Sequence, residues 1–243
     1  MSTPGVVRSS PRHGGVVRAV SDLSARMRRI TVHAPTMAGI EVRPAQDVEV
    51  FLHGEDGRRV KRRYTIRHAR PDQAEIDLDV VLHGAGPGSA WGARARPGDD
   101  VQFQGPRRKL QLTSAPWHLL VGDESAIPAI ACICEALPAG ELALAVIEIG
   151  AAADEIAMPA SAQVQWVPRG DVAPGSPDLL AQALATREFP GADGHGYLMG
   201  ETRAMVVLRG VLETRGIAHD AIFVKGYWNV GRPDRIAGRS PSA

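Results

Sequence analysis

Along Glu75–Leu82 the chain alternates Ile76, Leu78 and Val80 with Asp77, Asp79 and Val81, the period of a strand with one wet face. Similar short runs occur at Met27–Val32, Asp47–Leu52, Arg63–Arg67 and, after the turn Pro97-Gly98-Asp99, Val101–Phe103. Little helical period lies between them, so the chain up to about Leu112 predicts a small antiparallel β-barrel. From Pro116 the rhythm changes. Trp117–Val121 reads as a strand, and Gly122-Asp123-Glu124-Ser125 opens a helix that runs to Leu137, with Pro128 in its first turn. Strands at Leu142–Ile149, Val164–Val167, Tyr197–Met199 and Ala221–Val224 then alternate with helices at Pro177–Arg187 and Glu201–Arg215. That order predicts a parallel α/β sheet of the doubly wound type.

The expected organisation is therefore a barrel over residues 15–113 and an α/β domain over 116–232, with flexible termini at 1–14 and 233–243. A chain of 243 residues, 44% hydrophobic and 23% charged, has the size and composition for two modest globular domains. Lys+Arg 28 against Asp+Glu 27 leaves a net charge of +1, which argues against nucleic-acid binding by global charge. Met1–Gly15 has no apolar signal core. Glu135, Glu141 and Glu148 interrupt the best apolar run well short of the ~18 residues of a membrane span, so a cytoplasmic protein is expected. Cys132 and Cys134 read as buried small hydrophobes. The histidines show no ligand spacing and no Gly-x-Ser-x-Gly elbow is present, so neither a metal site nor hydrolase chemistry is expected.

Two motifs carry chemistry. In Arg63-Tyr64-Thr65-Ile66-Arg67, strand alternation puts Arg63, Thr65 and Arg67 on one face and Tyr64 and Ile66 on the other. A flavin needs an aromatic or apolar neighbour, a small hydrogen-bonding group at its reactive edge and a cation for its pyrophosphate. The pentapeptide offers one of each, although an ordinary exposed strand has the same composition. The second motif runs from His83 to Trp91, where three glycines and Pro87 lead from a strand into a helix from Gly88 through Ala95. Ser89 and the free amides at that helix start form a natural pyrophosphate site.

With these blocks the chain resembles the siderophore-interacting proteins, flavin-dependent ferric-siderophore reductases of the ferredoxin-reductase-like superfamily. The resemblance extends through Asp79–Gly84, Gly86–Trp91, Gly105-Pro106-Arg107, Gly122–Ile130, Gly200-Glu201 and Gly226–Gly231, in order along nearly the whole chain. It implies FAD as cofactor, held by Arg63, Tyr64, Thr65, Arg67, His83, Pro87, Gly88, Ser89, Trp91, Tyr227 and Trp228. It also implies a nicotinamide site at Gly122, Asp123, Glu124, Ser125 and Ala126. NADPH or NADH would be the electron donor, with a ferredoxin as the alternative, and a ferric siderophore the substrate.

Two departures from the family pattern stand out. Arg108-Lys109 follow Gly-Pro-Arg where the family often has Gly, and Asp123-Glu124, with no Gly-x-Gly-x-x-Gly fingerprint, are poor company for a pyrophosphate. Five cations in Arg58–Arg63 suggest a basic rim for an anionic chelate, with Lys61, Arg108 and Lys225 as substrate-binding candidates. The expected activity is FAD-dependent reduction of a ferric siderophore, an oxidoreductase reaction without a side-chain acid or base. A general flavin or quinone reductase, or a non-catalytic siderophore carrier, are the alternatives.

Overall fold

The computed structural model describes residues 10–54, 57–83, 86–107 and 110–231. Arg108 and the tail 233–243 lie outside the described residues. Six strands, β1 (Arg12–Ser24), β2 (Met27–His33), β3 (Asp47–His53), β4 (Arg59–Arg70), β5 (Glu75–Val81) and β6 (Asp100–Arg107), close into an antiparallel barrel in the order β1-β2-β5-β4-β3-β6. Ile30, Val48, Val50, Leu78 and Phe103 fill its interior. The alternation of β5 holds, since Ile76, Leu78 and Val80 are core residues. Asp77 and Asp79 are buried too, because Arg70 and Arg29 cover them with two hydrogen bonds each.

The barrel strands run longer than expected, β6 covering Asp100–Arg107 instead of Val101–Phe103. β1 was not expected, and it begins at Arg12, so Arg12–Gly14 pair with Gln104, Phe103 and Gln102 of β6 instead of joining a flexible terminus. Its hydrophobic period is faint because only His13 and Val17 along it are buried. β4 is twelve residues long and carries a register irregularity between Ile66 and His68.

A helix, α1 (Pro87–Arg94), follows β5 and packs Trp91 against the barrel core. Beyond the barrel, β7 (Trp117–Gly122), β8 (Leu142–Ile149), β9 (Ala162–Pro168), β10 (His195–Glu201) and β11 (Ile222–Trp228) form a parallel sheet in the order β11-β10-β7-β8-β9. Three further helices are α2 (Ile127–Ala136), α3 (Asp178–Thr186) and α4 (Thr202–Thr214). Alternation divides the sheet's side chains between two cores. Leu120, Tyr197 and Met199 join α2's Ile127, Ile130 and Ile133 on one face, while Leu119, Val121 and Leu198 join Leu184, Leu208 and Leu212 on the other. The strand order reverses between β7 and β10, so the ligand crevice of such a sheet is expected at their carboxyl ends. No helix among the described residues is long and apolar enough to cross a membrane.

The barrel and the α/β unit meet through α2 and β4. Arg67 donates two hydrogen bonds to Glu135 of α2, at 2.8 and 2.7 Å. The Cys132 thiol reaches the carbonyls of Ile66 and Arg67 at the strand irregularity. Both cysteines are buried and free.

Candidate functional site

The first half of the site lies where β4 meets the start of α1. A Cβ on Gly88 would fall 2.6 Å from the Tyr64 hydroxyl and 3.4 Å from Cγ of Arg62, so only glycine lets the helix start approach this strand so closely. Gly86 has a φ of +88° and Pro87 takes the first helical position. Trp91, one turn on, sets its ring 5.4 Å from that of Tyr64. Burial pushes the Tyr64 phenol well above its usual range. The residues present fit FAD: ring faces from Tyr64 and Trp91, and a helix N-terminus beside the Arg62 side chain for the diphosphate.

Several expected residues stand elsewhere in this half. Arg62, absent from the expected set, shares the Tyr64 side of β4 and is half-buried there. The signal was available, since positions 62 and 64 share a face by the same alternation that separates 63 from 64. Arg63 is exposed on the opposite face, where it donates to Glu49 of β3 at 3.2 Å. Arg67 is taken by Glu135. Ser89 is buried and its hydroxyl accepts from the His83 amide at 3.1 Å, which ties the glycine-rich turn to the helix. The His83 side chain is exposed.

The second half is a chain of charges across the cleft. Lys225 of β11 bonds Asp47 of β3 at 3.0 Å, and Arg107 of β6 bonds the other oxygen of Asp47 at 2.9 Å. Arg107 also pairs with Glu49, as do Lys61 and Arg63. Burial raises Glu49, but Arg107, Lys61 and Arg63 together hold it below the usual carboxylate range. Nη2 of Arg107 is buried with no hydrogen-bond partner among the described residues, which leaves one donor unspent. Four cations thus gather on two carboxylates. Lys61 and Lys225, substrate candidates from the sequence, come together here with Arg107, while Asp47 and Glu49 complete the group without having been in the expected set.

Tyr227 and Trp228 separate because β11 continues to Trp228 instead of ending at Val224, which sends neighbouring side chains to opposite faces. Tyr227 turns toward the barrel, with Lys225 Nζ 4.9 Å from its ring centroid. Burial raises its phenol, and the Thr65 side chain opposes that rise through a hydrogen bond. Trp228 turns to the crevice between β7 and β10, where its indole donates to Asp123 at 2.7 Å.

That crevice is full of carboxylates. Asp123 is buried and accepts from the Ser125 amide, the Ser125 hydroxyl, the Glu201 amide and Trp228, yet burial still lifts its carboxyl above the ordinary value. Glu201 caps α4 through the Ala204 amide and also accepts from the Val230 amide. Gly175 (φ +92°) lets its loop lie against Trp228 and Val230, since a Cβ there would sit 2.7 Å from Val230. Glu124 is held by Arg26, Arg169 and the Gly150 amide, and Glu148 by Arg169. Burial raises Glu148 to about 7, against the pull of Arg169. Gly122 and Ala126 are buried in this turn. Of the expected nicotinamide residues, Asp123, Glu124 and Ser125 therefore have their side chains engaged within the protein.

Sequence profiles place this arrangement among known proteins. That of the siderophore-interacting FAD-binding domain matches residues 42–110, and that of the siderophore-interacting proteins matches residues 115–231. An uncharacterized protein of Mycobacterium tuberculosis is 36% identical over 189 residues, covering 72% of this chain and 67% of that protein. Ferric vibriobactin reductase ViuB of Vibrio cholerae is 33% identical over 180 residues, covering 71% of this chain and 66% of the reductase. A siderophore utilization protein from T. fusca superposes with a TM-score of 0.84 at 29% identity, over 94% of this chain and 96% of that one.

Proposed function

The chain belongs to the siderophore-interacting protein family, and from that membership we propose that it holds FAD and reduces the iron(III) of a ferric siderophore, with electrons from NAD(P)H or a ferredoxin. The family's FAD-binding domain and a relative named as a ferric vibriobactin reductase support this reading. The observation that carries it is the juxtaposition of two features: the Arg62–Tyr64–Gly88 cradle and, on the other face of the same strand, the cations that meet Asp47 and Glu49.

Bound FAD would supply the link between a two-electron hydride donor and iron(III), which accepts one electron at a time. Arg62 and the first amides of α1 would hold the diphosphate, with Tyr64 and Trp91 as ring faces. Thr65 and Tyr227 border the cleft where the barrel meets β11. Lys61, Arg107 and Lys225 attract an anionic chelate by charge and hold it without one fixed shape. No side chain has to act as acid or base. One hydride donor reduces two ferric ions, leaving the oxidised nicotinamide, one proton and two ferrous ions. Oxygen ligands that suit iron(III) hold iron(II) less tightly, so reduction loosens the metal.

The donor has a second reading. Asp123, Glu124, Glu148 and Glu201 at the sheet's carboxyl edge disfavour the phosphates of a dinucleotide, which supports a ferredoxin in its place.

The test is an absorption spectrum after incubation with FAD, followed by anaerobic addition of NADPH, NADH or reduced ferredoxin. Ferrous iron released from a ferric siderophore is then trapped with a colorimetric chelator. Flavin absorbance that bleaches with one donor and returns with the chelate is the expected result. A chain that takes up no FAD would overturn the reading.

A further inference from the structure

The outer wall of the barrel carries an arrangement that neither flavin binding nor reduction requires. Phe51 of β3 is half-buried there, and three cations converge on its ring. Arg12 Cζ stands 5.4 Å from the ring centroid, Arg59 Cζ 5.3 Å and Lys61 Nζ 5.2 Å. The strand ladders explain the convergence. Lys61 lies directly opposite Phe51 across β3–β4, and Arg59 lies opposite His53, the next outward position. On the other side Gln102 of β6 pairs with Phe51, and Arg12 of β1 reaches across from its place opposite Gln104.

This station is continuous with the cleft. Lys61 touches both Phe51 and Glu49, Glu49 meets Arg63 and Arg107, Arg107 meets Asp47, and Asp47 meets Lys225 beside Tyr227. Along that path Lys61, Arg63, Arg107 and Lys225 pair with two carboxylates, Asp47 and Glu49, and Arg12 and Arg59 add two cations beside Phe51, on a chain whose formal net charge is +1. From Asp47 to Phe51 the strand rises roughly 13 Å, a breadth that one chelate with its pendant arms can cover.

Charge alone would steer any anion. Guanidinium groups gathered on an aromatic ring do more, because they are weakly hydrated and stack on electron-rich aryl faces, whereas a hydroxamate arm has no such face. We propose that Arg12, Phe51 and Arg59 form an outer subsite for the ferric chelate and that it selects anionic chelates with aryl arms, of the tris-catecholate type, over neutral trihydroxamates. The inference rests on the reading of the cleft as the chelate site and names the substrate class that site prefers.

The test uses the full chain loaded with FAD and no electron donor, with binding read from fluorescence quenching by the ferric complexes of a tris-catecholamide and of a linear trihydroxamate. Wild-type protein should bind the catecholate complex about tenfold tighter or better. The double variant R12Q/R59Q should lose about tenfold on the catecholate complex and less than about twofold on the trihydroxamate, with FAD content unchanged. Phe51→Leu, which keeps apolar bulk but removes the ring, should shift the ratio the same way by a smaller factor. Equal weakening of both complexes would reduce the station to charge steering, and unchanged binding would remove it from the chelate's path; either overturns the proposal. Loss of ferredoxin binding with chelate binding intact would assign the surface to a protein partner and overturn it as well. If neither complex quenches the wild-type protein, the cleft reading itself falls, an outcome distinct from a lost preference between the two.

Discussion

The outer wall of the barrel and the carboxyl edge of the parallel sheet use charge in opposite ways. On the wall, cations outnumber carboxylates among the described residues and several stay partly exposed, with Arg63 more than half open to water (53%). At the sheet edge, Asp123, Glu124, Glu148 and Glu201 are all buried, and the chain's own amides, arginines and Trp228 supply their hydrogen bonds. A doubly wound sheet ordinarily offers helix N-termini to a dinucleotide at this place. Here Glu201 has already capped α4, and the segment from Trp228 to Val230 lies against it. The contrast teaches that architecture supplies a place for a ligand, whereas side-chain charge decides which ligand is welcome there.

The largest effect should come from the cradle beside the cationic wall. Gly88→Val brings a branched side chain to within 2.6 Å of the Tyr64 hydroxyl and should lower FAD affinity about 100-fold, read by FAD titration. Arg62→Ala should weaken FAD about tenfold or more, while Arg63→Ala, on the other face, should change it less than about twofold. The reverse ranking of the two arginines would break the assignment of faces. At the sheet edge, Asp123→Ala strips the Ser125, Glu201 and Trp228 donors of their shared acceptor and should destabilise the fold by about 3 kcal/mol in denaturant unfolding.

Smaller effects sharpen the same contrast. Lys225→Gln should raise the KM for an anionic ferric chelate about five- to tenfold and flatten its salt dependence, with FAD content unchanged. Asp47 keeps Arg107 as partner in that variant, so the fold should hold. The smallest effect concerns Glu148, whose carboxyl is raised by burial to about 7 from an ordinary 4.5. Between those values the folded chain keeps a proton that the unfolded chain has released, so stability falls as pH rises through this window. Glu148→Gln should remove that slope, a change on the order of 1 kcal/mol between pH 5 and 7.5. A wild-type stability that is level across the window would mean that Arg169 neutralises Glu148 fully.

How far the site could be read in advance varies residue by residue. The Gly86–Trp91 block was legible because glycine, proline and a strand-to-helix step are local features. Strand alternation pairs Arg62, and not Arg63, with Tyr64, so the cation beside that ring is open to the same local reading. Tyr227 and Trp228 looked like one aromatic unit until the length of β11 sent them apart. The acidity of Gly122–Ser125 was visible as an obstacle to pyrophosphate, but its burial and its partner Trp228, 105 positions away, were not. Phe51 gave no signal at all, because a phenylalanine in an alternating strand looks the same whether water or arginine covers it.

The chain by itself determined its two rhythms, the antiparallel barrel and the α/β sheet, and the glycine-rich helix start, since each follows from a period or a backbone preference within a few neighbouring residues. Tertiary structure alone decided which charges meet. Lys225 and Asp47 stand 178 positions apart, and no local pattern brings them to 3.0 Å. Strand closure and domain docking do, because Coulomb attraction depends on distance and surroundings, quantities that exist only once the chain has folded.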